Sequence, residues 1–118
     1  MARTARVLVA VLGLVGLVGC AAAGSDSPSP VATAAVDLPP SYRFEPVAIA
    51  VPVGTTVTWS NHDNFSHSVR FLDDGLPAEP MLMEPGASAT FTFGDPGTFA
   101  YECHLHPRDM TGSVTVTP

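Results

Sequence analysis

The sequence predicts an all-β protein, a sandwich or barrel of roughly seven or eight strands. Short segments in which apolar and polar residues alternate recur along the chain from about residue 36. Turns rich in Pro and Gly separate these segments at the spacing typical of antiparallel sheets. No stretch shows the period of an amphipathic helix.

The predicted strands follow one another at short intervals. The first is an apolar, β-branched run at 47–51, and a Pro-Val-Gly turn leads to the second at 55–60. The others are predicted at 68–72, 88–93, 98–102 and 113–117. Their inward-facing residues are predicted to be Val57, Trp59, Ala89, Phe91, Phe93, Val114 and Val116.

The first 19 residues have the composition of a bacterial export signal. Two arginines precede an apolar run at 7–18, which is shorter than a membrane span. The run ends in Leu-Val-Gly-Cys and resembles the bacterial lipobox, in which Cys20 would receive a diacylglycerol and become the new N-terminus. The alternative is an ordinary secretory signal that is cut near residues 21–23.

Residues 20–35 are small and rich in Ala, Ser and Pro, so we expect a flexible tether before a folded domain at 36–118. Together these features predict a domain on the extracytoplasmic face of a bacterial cell envelope, held to the membrane by a lipid on Cys20. A chain without that lipid would be secreted or periplasmic.

The number of cysteines and the net charge limit the functions that the chain can have. If Cys20 carries a lipid, Cys103 has no partner for a disulfide, and metal ligation would protect its thiol. The chain has no Lys, and after loss of the signal three arginines oppose all 11 acidic residues, a formal charge of −8. Nucleic-acid binding is excluded because it needs clustered cations. We expect partners with a basic docking surface.

Four residues form a metal-ligand pattern. Cys103, His106 and Met110 follow the spacing Cys-x2-His-x3-Met, and His67 lies far upstream. Two imidazoles, a thiolate and a weak axial thioether are the donors of a one-electron copper site. We therefore expect one Cu(I)/Cu(II) ion per chain, on a tight loop between a strand that ends at Cys103 and one that starts near Gly112. His67 is expected to arrive from across the sandwich.

Residues 36–118 resemble the cupredoxins, in particular the small blue copper proteins of the plastocyanin, amicyanin and pseudoazurin group. The matching pieces are 54–61 (Gly-Thr-Thr-Val-Thr-Trp-Ser-Asn), 67–69 (His-Ser-Val), 96–101 (Pro-Gly-Thr-Phe-Ala-Tyr), Cys103-x-x-His106-Pro107 and Met110-x-Gly112-x-Val114-x-Val116. The resemblance implies a Greek-key β-sandwich with copper near one end and His106 close to the surface in an apolar docking patch. Ser68 is expected to bridge the ligand loops by hydrogen bonding.

Other candidate residues are expected to play structural roles. His104 is predicted to face outward, because two adjacent residues cannot easily share a metal, and His62 to lie in a solvated turn. Met81 and Met83 suit Cu(I), but packing is the favoured interpretation. Asp73 and Asp74 are interpreted as a solvated turn beside Gly75.

The leading hypothesis is a monomeric electron carrier that exchanges electrons with redox partner proteins and is not an enzyme. A copper-binding protein for delivery or detoxification is the alternative, but such a protein is expected to have an exposed site rich in Met and His. A structural zinc site is a third possibility, and the lack of a fourth strong ligand argues against it.

Overall fold

A computed structural model describes residues 28–118 as a β-sandwich of nine strands, with no helix in that range. No helix in this part of the chain is long and apolar enough to cross a membrane. The predicted signal at 1–19, the predicted lipidation site Cys20 and the part of the predicted tether up to residue 27 lie outside the described residues. The strands are β1 (Val31–Ala32), β2 (Ala35–Leu38), β3 (Ala48–Pro52), β4 (Thr56–Asn61), β5 (His67–Phe71), β6 (Met81–Met83), β7 (Ser88–Thr92), β8 (Gly97–Glu102) and β9 (Thr111–Thr117).

The strands form two sheets, which confirms the predicted all-β sandwich. The larger sheet has the order β1-β3-β9-β8-β5-β6, and the smaller has the order β2-β4-β7. β8 and β9 are antiparallel neighbours, and the loop between them carries the predicted metal ligands. β3 pairs parallel with β9, so the N-terminal half of the chain supports the strand that follows this loop.

Aromatic side chains fill the space between the sheets. Trp59 of the smaller sheet is fully buried and meets Tyr101 of the larger sheet edge to face, with ring centroids 5.5 Å apart. Phe71 lies 6.2 Å from Trp59 and 6.5 Å from Tyr101, so the three rings pack against one another. Apolar and polar residues alternate along β4 and β9. Val57 and Val114, which this pattern predicts to face inward, are fully buried. Each Å² of apolar surface that is removed from water stabilises a folded protein by about 25 cal/mol.

The sandwich begins earlier than residue 36, where composition placed the domain boundary. Val31–Ala32 pairs parallel with β3, and Ala35 already pairs with Thr58. Backbone hydrogen bonds hold these small residues in place, and composition carries no signal for such pairing. The three-residue strand β6 was also absent from the prediction, because it is too short to show alternation.

The described chain enters the sandwich beside the start of β9. Pro28 lines a shallow hollow together with Val47, Ala48 and residues 111–113. Since residue 111 directly follows Met110, the N-terminal segment enters at the end of the sandwich that carries the ligand loop.

Candidate metal centre

Three of the four predicted ligands converge at one end of the sandwich. The ligand atoms of His67, Cys103 and His106 all lie within 4.8 Å of one another. Cys103 Sγ is 3.9 Å from Nδ1 of His67 and 3.8 Å from Nδ1 of His106. Metal–nitrogen and metal–sulfur bonds of about 2.0 and 2.3 Å that meet at a trigonal angle place their donor atoms roughly 3.8 Å apart. The donor separations therefore fit a single ion held by all three side chains.

The loop after β8 is closed by its own backbone. The amide of Cys103 donates to the carbonyl of Met110 at 3.0 Å, so the two ends of the loop are hydrogen-bonded to each other. Inside it, the carbonyl of His106 accepts hydrogen bonds from the amides of Asp109 and Met110. The Met110 side chain is fully buried and belongs to the hydrophobic core. Short hydrogen-bonded turns thus fix the backbone from which three of the predicted ligands project.

His67 reaches the site from the same sheet as Cys103, so the prediction that it crosses the sandwich is wrong. It is the first residue of β5, which lies next to β8 with Arg70 paired to Glu102. Sequence spacing shows that two segments are distant along the chain, but it does not show which sheet each of them joins. The imidazole is fully buried.

Ser68 links the two ligand segments, as predicted. Its backbone amide donates a hydrogen bond to Cys103 Sγ at 3.3 Å, and its hydroxyl accepts a hydrogen bond from the backbone amide of His104 at 3.0 Å. The same hydroxyl lies 2.5 Å from Nδ1 of His104. An N–H donor aimed at sulfur suits a thiolate that is bound to a metal.

Asp63 is a neighbour of the site that sequence analysis missed. Its Oδ2 lies 2.8 Å from Nε2 of His67, on the side of the ring away from Cys103, and both residues are buried. The hydrogen bond from His67 lowers the pKa of the Asp63 carboxyl, so the carboxylate form is favoured. The signal in the sequence was a carboxylate four residues before a predicted ligand, which is too common in polar loops to be specific.

Tyr42, also missed, lies over the two imidazoles. Its ring approaches His106 edge to face at 4.7 Å and His67 at 5.7 Å, and it stacks on Phe65. Tyr42 and the preceding Ser41 both have positive φ, a region that side chains other than Gly seldom adopt. Such strained backbone persists only where the surrounding structure holds it, and here it brings the phenol ring to the site.

Exposed apolar side chains surround this end of the molecule. Phe65 is 54% exposed, Leu105 is 45% exposed and Tyr42 is 37% exposed, while His106 is half-buried beside them. We call Tyr42, Phe65 and Leu105 the apolar end patch. Its position agrees with the docking patch that the family resemblance implies.

The remaining candidate residues have other contacts. His104 bonds to Ser68, and the exposed His62 contacts Asp37 through Nδ1. Met83 is fully buried in the core with Met81 packed against it. Asp73 lies in an exposed turn and accepts the amide of Gly75, and Asp74 beside it is also exposed.

Comparison with known proteins agrees with this geometry. Residues 36–117 match the model of the family described as copper binding proteins, plastocyanin/azurin family. Plastocyanin of Scenedesmus fuscus is 35% identical over 83 residues, which cover 62% of this chain and 85% of that protein. The chain spans a smaller share, 57%, of the chloroplastic plastocyanin of Tetradesmus obliquus, to which it is 34% identical over 83 residues.

Solved structures give the same result. A purple cupredoxin from Nitrosopumilus maritimus superposes with a TM-score of 0.64 at 27% identity, over 72% of this chain and all of the other. The reduced state of an amicyanin mutant superposes with a TM-score of 0.63 at 32% identity, over 78% of this chain and 95% of the other. The chain therefore belongs to the plastocyanin/azurin family of copper binding proteins, and it has the cupredoxin fold.

Proposed function

We propose that this protein is an extracytoplasmic one-electron carrier in which His67, Cys103, His106 and Met110 hold one copper ion. The observation that carries the proposal is the spacing of the three strong donors, with both sulfur-to-nitrogen distances close to 3.8 Å. When bound in such a site, copper changes between Cu(I) and Cu(II) and so stores one electron. Relatives whose structures are described as reduced or oxidised amicyanin support this assignment.

The chain's own residues are suited to rapid electron exchange because they hold their positions. The closed loop fixes Cys103 and Met110, the start of β5 fixes His67, and Ser68 links the two segments. Ligands held in this way rearrange little when the oxidation state of the metal changes. Four donors from the chain leave no position for a substrate, and we therefore expect no catalysis at this site.

Electron exchange is proposed to occur through the edge of His106. This imidazole is the most exposed of the three convergent donors, and the apolar end patch lies around it. An apolar contact area on a domain with an excess of acidic residues suits brief complexes with redox partners that carry a basic docking surface. We propose that the protein acts as a monomer, with this end free to contact its partners.

The experiment is to load the purified domain, residues 28–118, with Cu(II) and to record its visible absorption before and after ascorbate. We expect an intense thiolate-to-copper band that ascorbate bleaches and that Cys103→Ser abolishes. Ser68→Ala is the matched control, because it changes a neighbour of the sulfur and removes no ligand. A colourless protein that binds Cu(I) tightly would contradict the proposal and favour copper delivery.

Attachment through a lipid on Cys20 is part of the proposal. Export to the cell envelope would place the domain where its lone thiol needs protection, and the Leu-Val-Gly-Cys sequence supplies the signal. Expression of the full chain in a bacterium should leave it in the membrane fraction. Cys20→Ala should release it, whereas retention of that variant in the membrane would contradict the anchor.

A further inference from the structure

A buried carboxylate lies behind one of the proposed copper ligands. Nδ1 of His67 faces Cys103, and Nε2 on the opposite side of the ring lies 2.8 Å from Oδ2 of Asp63. His67 is fully buried and Asp63 is 6% exposed. An ionised carboxylate only accepts hydrogen bonds, so this contact requires a proton on Nε2. The lone pair of Nδ1 is then left for a metal.

The loop around Asp63 fixes its carboxylate. The backbone amide of Asp63 donates to Oδ1 of Asn61 at 2.9 Å, and Oδ1 of Asp63 accepts the amide of Asn64 at 2.7 Å. Asn61 is itself buried, and its Nδ2 donates to the carbonyls of Phe65 and Met83. The two oxygens of Asp63 thus have separate partners, and Oδ2 is kept for His67.

We propose that Asp63 is a positioning residue that holds His67 with Nδ1 directed to copper, and that its negative charge favours Cu(II) over Cu(I). The inference rests on the ligand set proposed above. A carboxylate behind a metal-bound histidine fixes the orientation of the ring and raises its basicity. A more basic ligand and a nearby negative charge both stabilise the ion of higher charge, so the reduction potential is lowered. Burial strengthens the effect, since the charge is poorly screened by water.

The test compares the reduction potentials of copper-loaded variants. Asp63→Asn keeps an oxygen acceptor of similar size and removes the charge, while Asp63→Glu restores the charge. Asp37→Asn is the matched control, because it removes the same charge from the exposed carboxylate that contacts His62. All proteins are first checked for the blue absorption band.

We expect Asp63→Asn to lose about tenfold in preference for Cu(II), which raises the potential by about 59 mV. Asp63→Glu should restore most of the wild-type preference for Cu(II) and bring the potential back toward that of the wild type. Asp37→Asn should change the preference less than twofold, or about 18 mV by the same constant. Asp63→Ala, which lacks an acceptor, should bind Cu(II) roughly 10- to 100-fold more weakly than the wild type.

Other outcomes overturn the inference. Equal potentials for Asp63→Asn and Asp37→Asn would remove the role of the charge, and unchanged Cu(II) affinity in Asp63→Ala would remove the positioning role. If Asp63→Asn does not fold, a Glu variant whose potential rises by as much as 59 mV would overturn the role of the charge. A wild-type protein without the blue band would instead overturn the ligand assignment itself.

Discussion

Tyr101 and Gly112 face each other across β8 and β9, and the Tyr101 phenol fills the space where a side chain on Gly112 would begin. A Cβ on Gly112 would lie 2.5 Å from both Cζ and Oη of Tyr101. Tyr101 is fully buried between Phe44 and Trp59, so its ring has little room to move.

Gly112→Ala is therefore expected to destabilise the protein by about 1–3 kcal/mol, the usual cost of overpacking a core. Gly94→Ala is the control, because a Cβ at that position meets no atom within 4 Å. Thermal melts of both variants measure the difference. Equal melting temperatures for Gly112→Ala and the wild type would show that the ring moves aside at little cost.

Alkaline pH should weaken the fold through Tyr101. Burial raises the pKa of the Tyr101 phenol from 10 to about 12. The folded state keeps its proton between those values and the unfolded state releases it, so the free energy of unfolding falls as pH rises from about 10 to 12, by about 1.4 kcal/mol per pH unit. The chain has no Lys to titrate in this range. Chemical unfolding at pH 9 and pH 11 measures the loss, which Tyr101→Phe should abolish and Tyr42→Phe should preserve.

Ser68→Ala should lower stability while the copper site stays blue. The variant removes the hydroxyl, which accepts a hydrogen bond from the His104 amide and lies 3.8 Å from Cys103 Sγ. The shorter hydrogen bond from the Ser68 backbone amide to that sulfur remains. Loss of this part-buried hydrogen bond costs about 1–2 kcal/mol. Ser88→Ala, which removes an exposed hydroxyl bonded to Ser60, should cost less. A colourless Ser68→Ala protein would contradict this prediction and show that the hydroxyl is needed for metal binding.

Removal of copper should lower the melting temperature. The proposed ligands join the start of β5 to the loop between β8 and β9, and a ligand that binds only the folded state stabilises it. Melts of the loaded and chelated protein measure the shift. Cys103→Ser should show a much smaller shift on addition of copper. A wild type that melts at the same temperature in both forms would mean that the site contributes nothing to folding.

Electron exchange with small complexes should depend on their charge. The domain carries acidic residues in excess and no Lys, so at low salt the reduced protein should react faster with a cationic cobalt complex than with ferricyanide of similar driving force. Added salt should slow the first reaction and speed the second. Stopped-flow measurement of the blue band follows both. Rates that do not change with salt would contradict electrostatic steering.

The donor set could be proposed from the sequence because three of its four residues lie close together in the chain. Cys103, His106 and Met110 lie on one short loop, and few functions other than copper binding use that donor set together with His67. The alternation of apolar and polar residues similarly identified the inward-facing side chains of β4 and β9. Patterns of this kind depend only on neighbouring residues.

What could not be predicted depends on contacts made in three dimensions. The hydrogen bond from His67 to Asp63 requires the fold of the loop at 61–67, and the position of Tyr42 requires positive φ at two residues other than Gly. The pairing of β1 with β3 involves a two-residue segment, Val31–Ala32, whose composition has no strand pattern. Which of the two sheets β5 joins depends on the topology of the fold. The number of residues between His67 and Cys103 does not show this.

The place where the described chain enters the sandwich has a consequence for orientation. Pro28 lies beside residues 111–113, directly after the ligand loop, whereas the turns at 53–55 and 93–96 lie at the opposite end. Fully extended, the segment from Cys20 to Pro28 spans at most about 29 Å. An acyl chain on Cys20 would thus keep the end of the domain that carries the ligand loop near the bilayer surface. Electron exchange would then favour membrane-embedded complexes over carriers that diffuse freely far from the membrane.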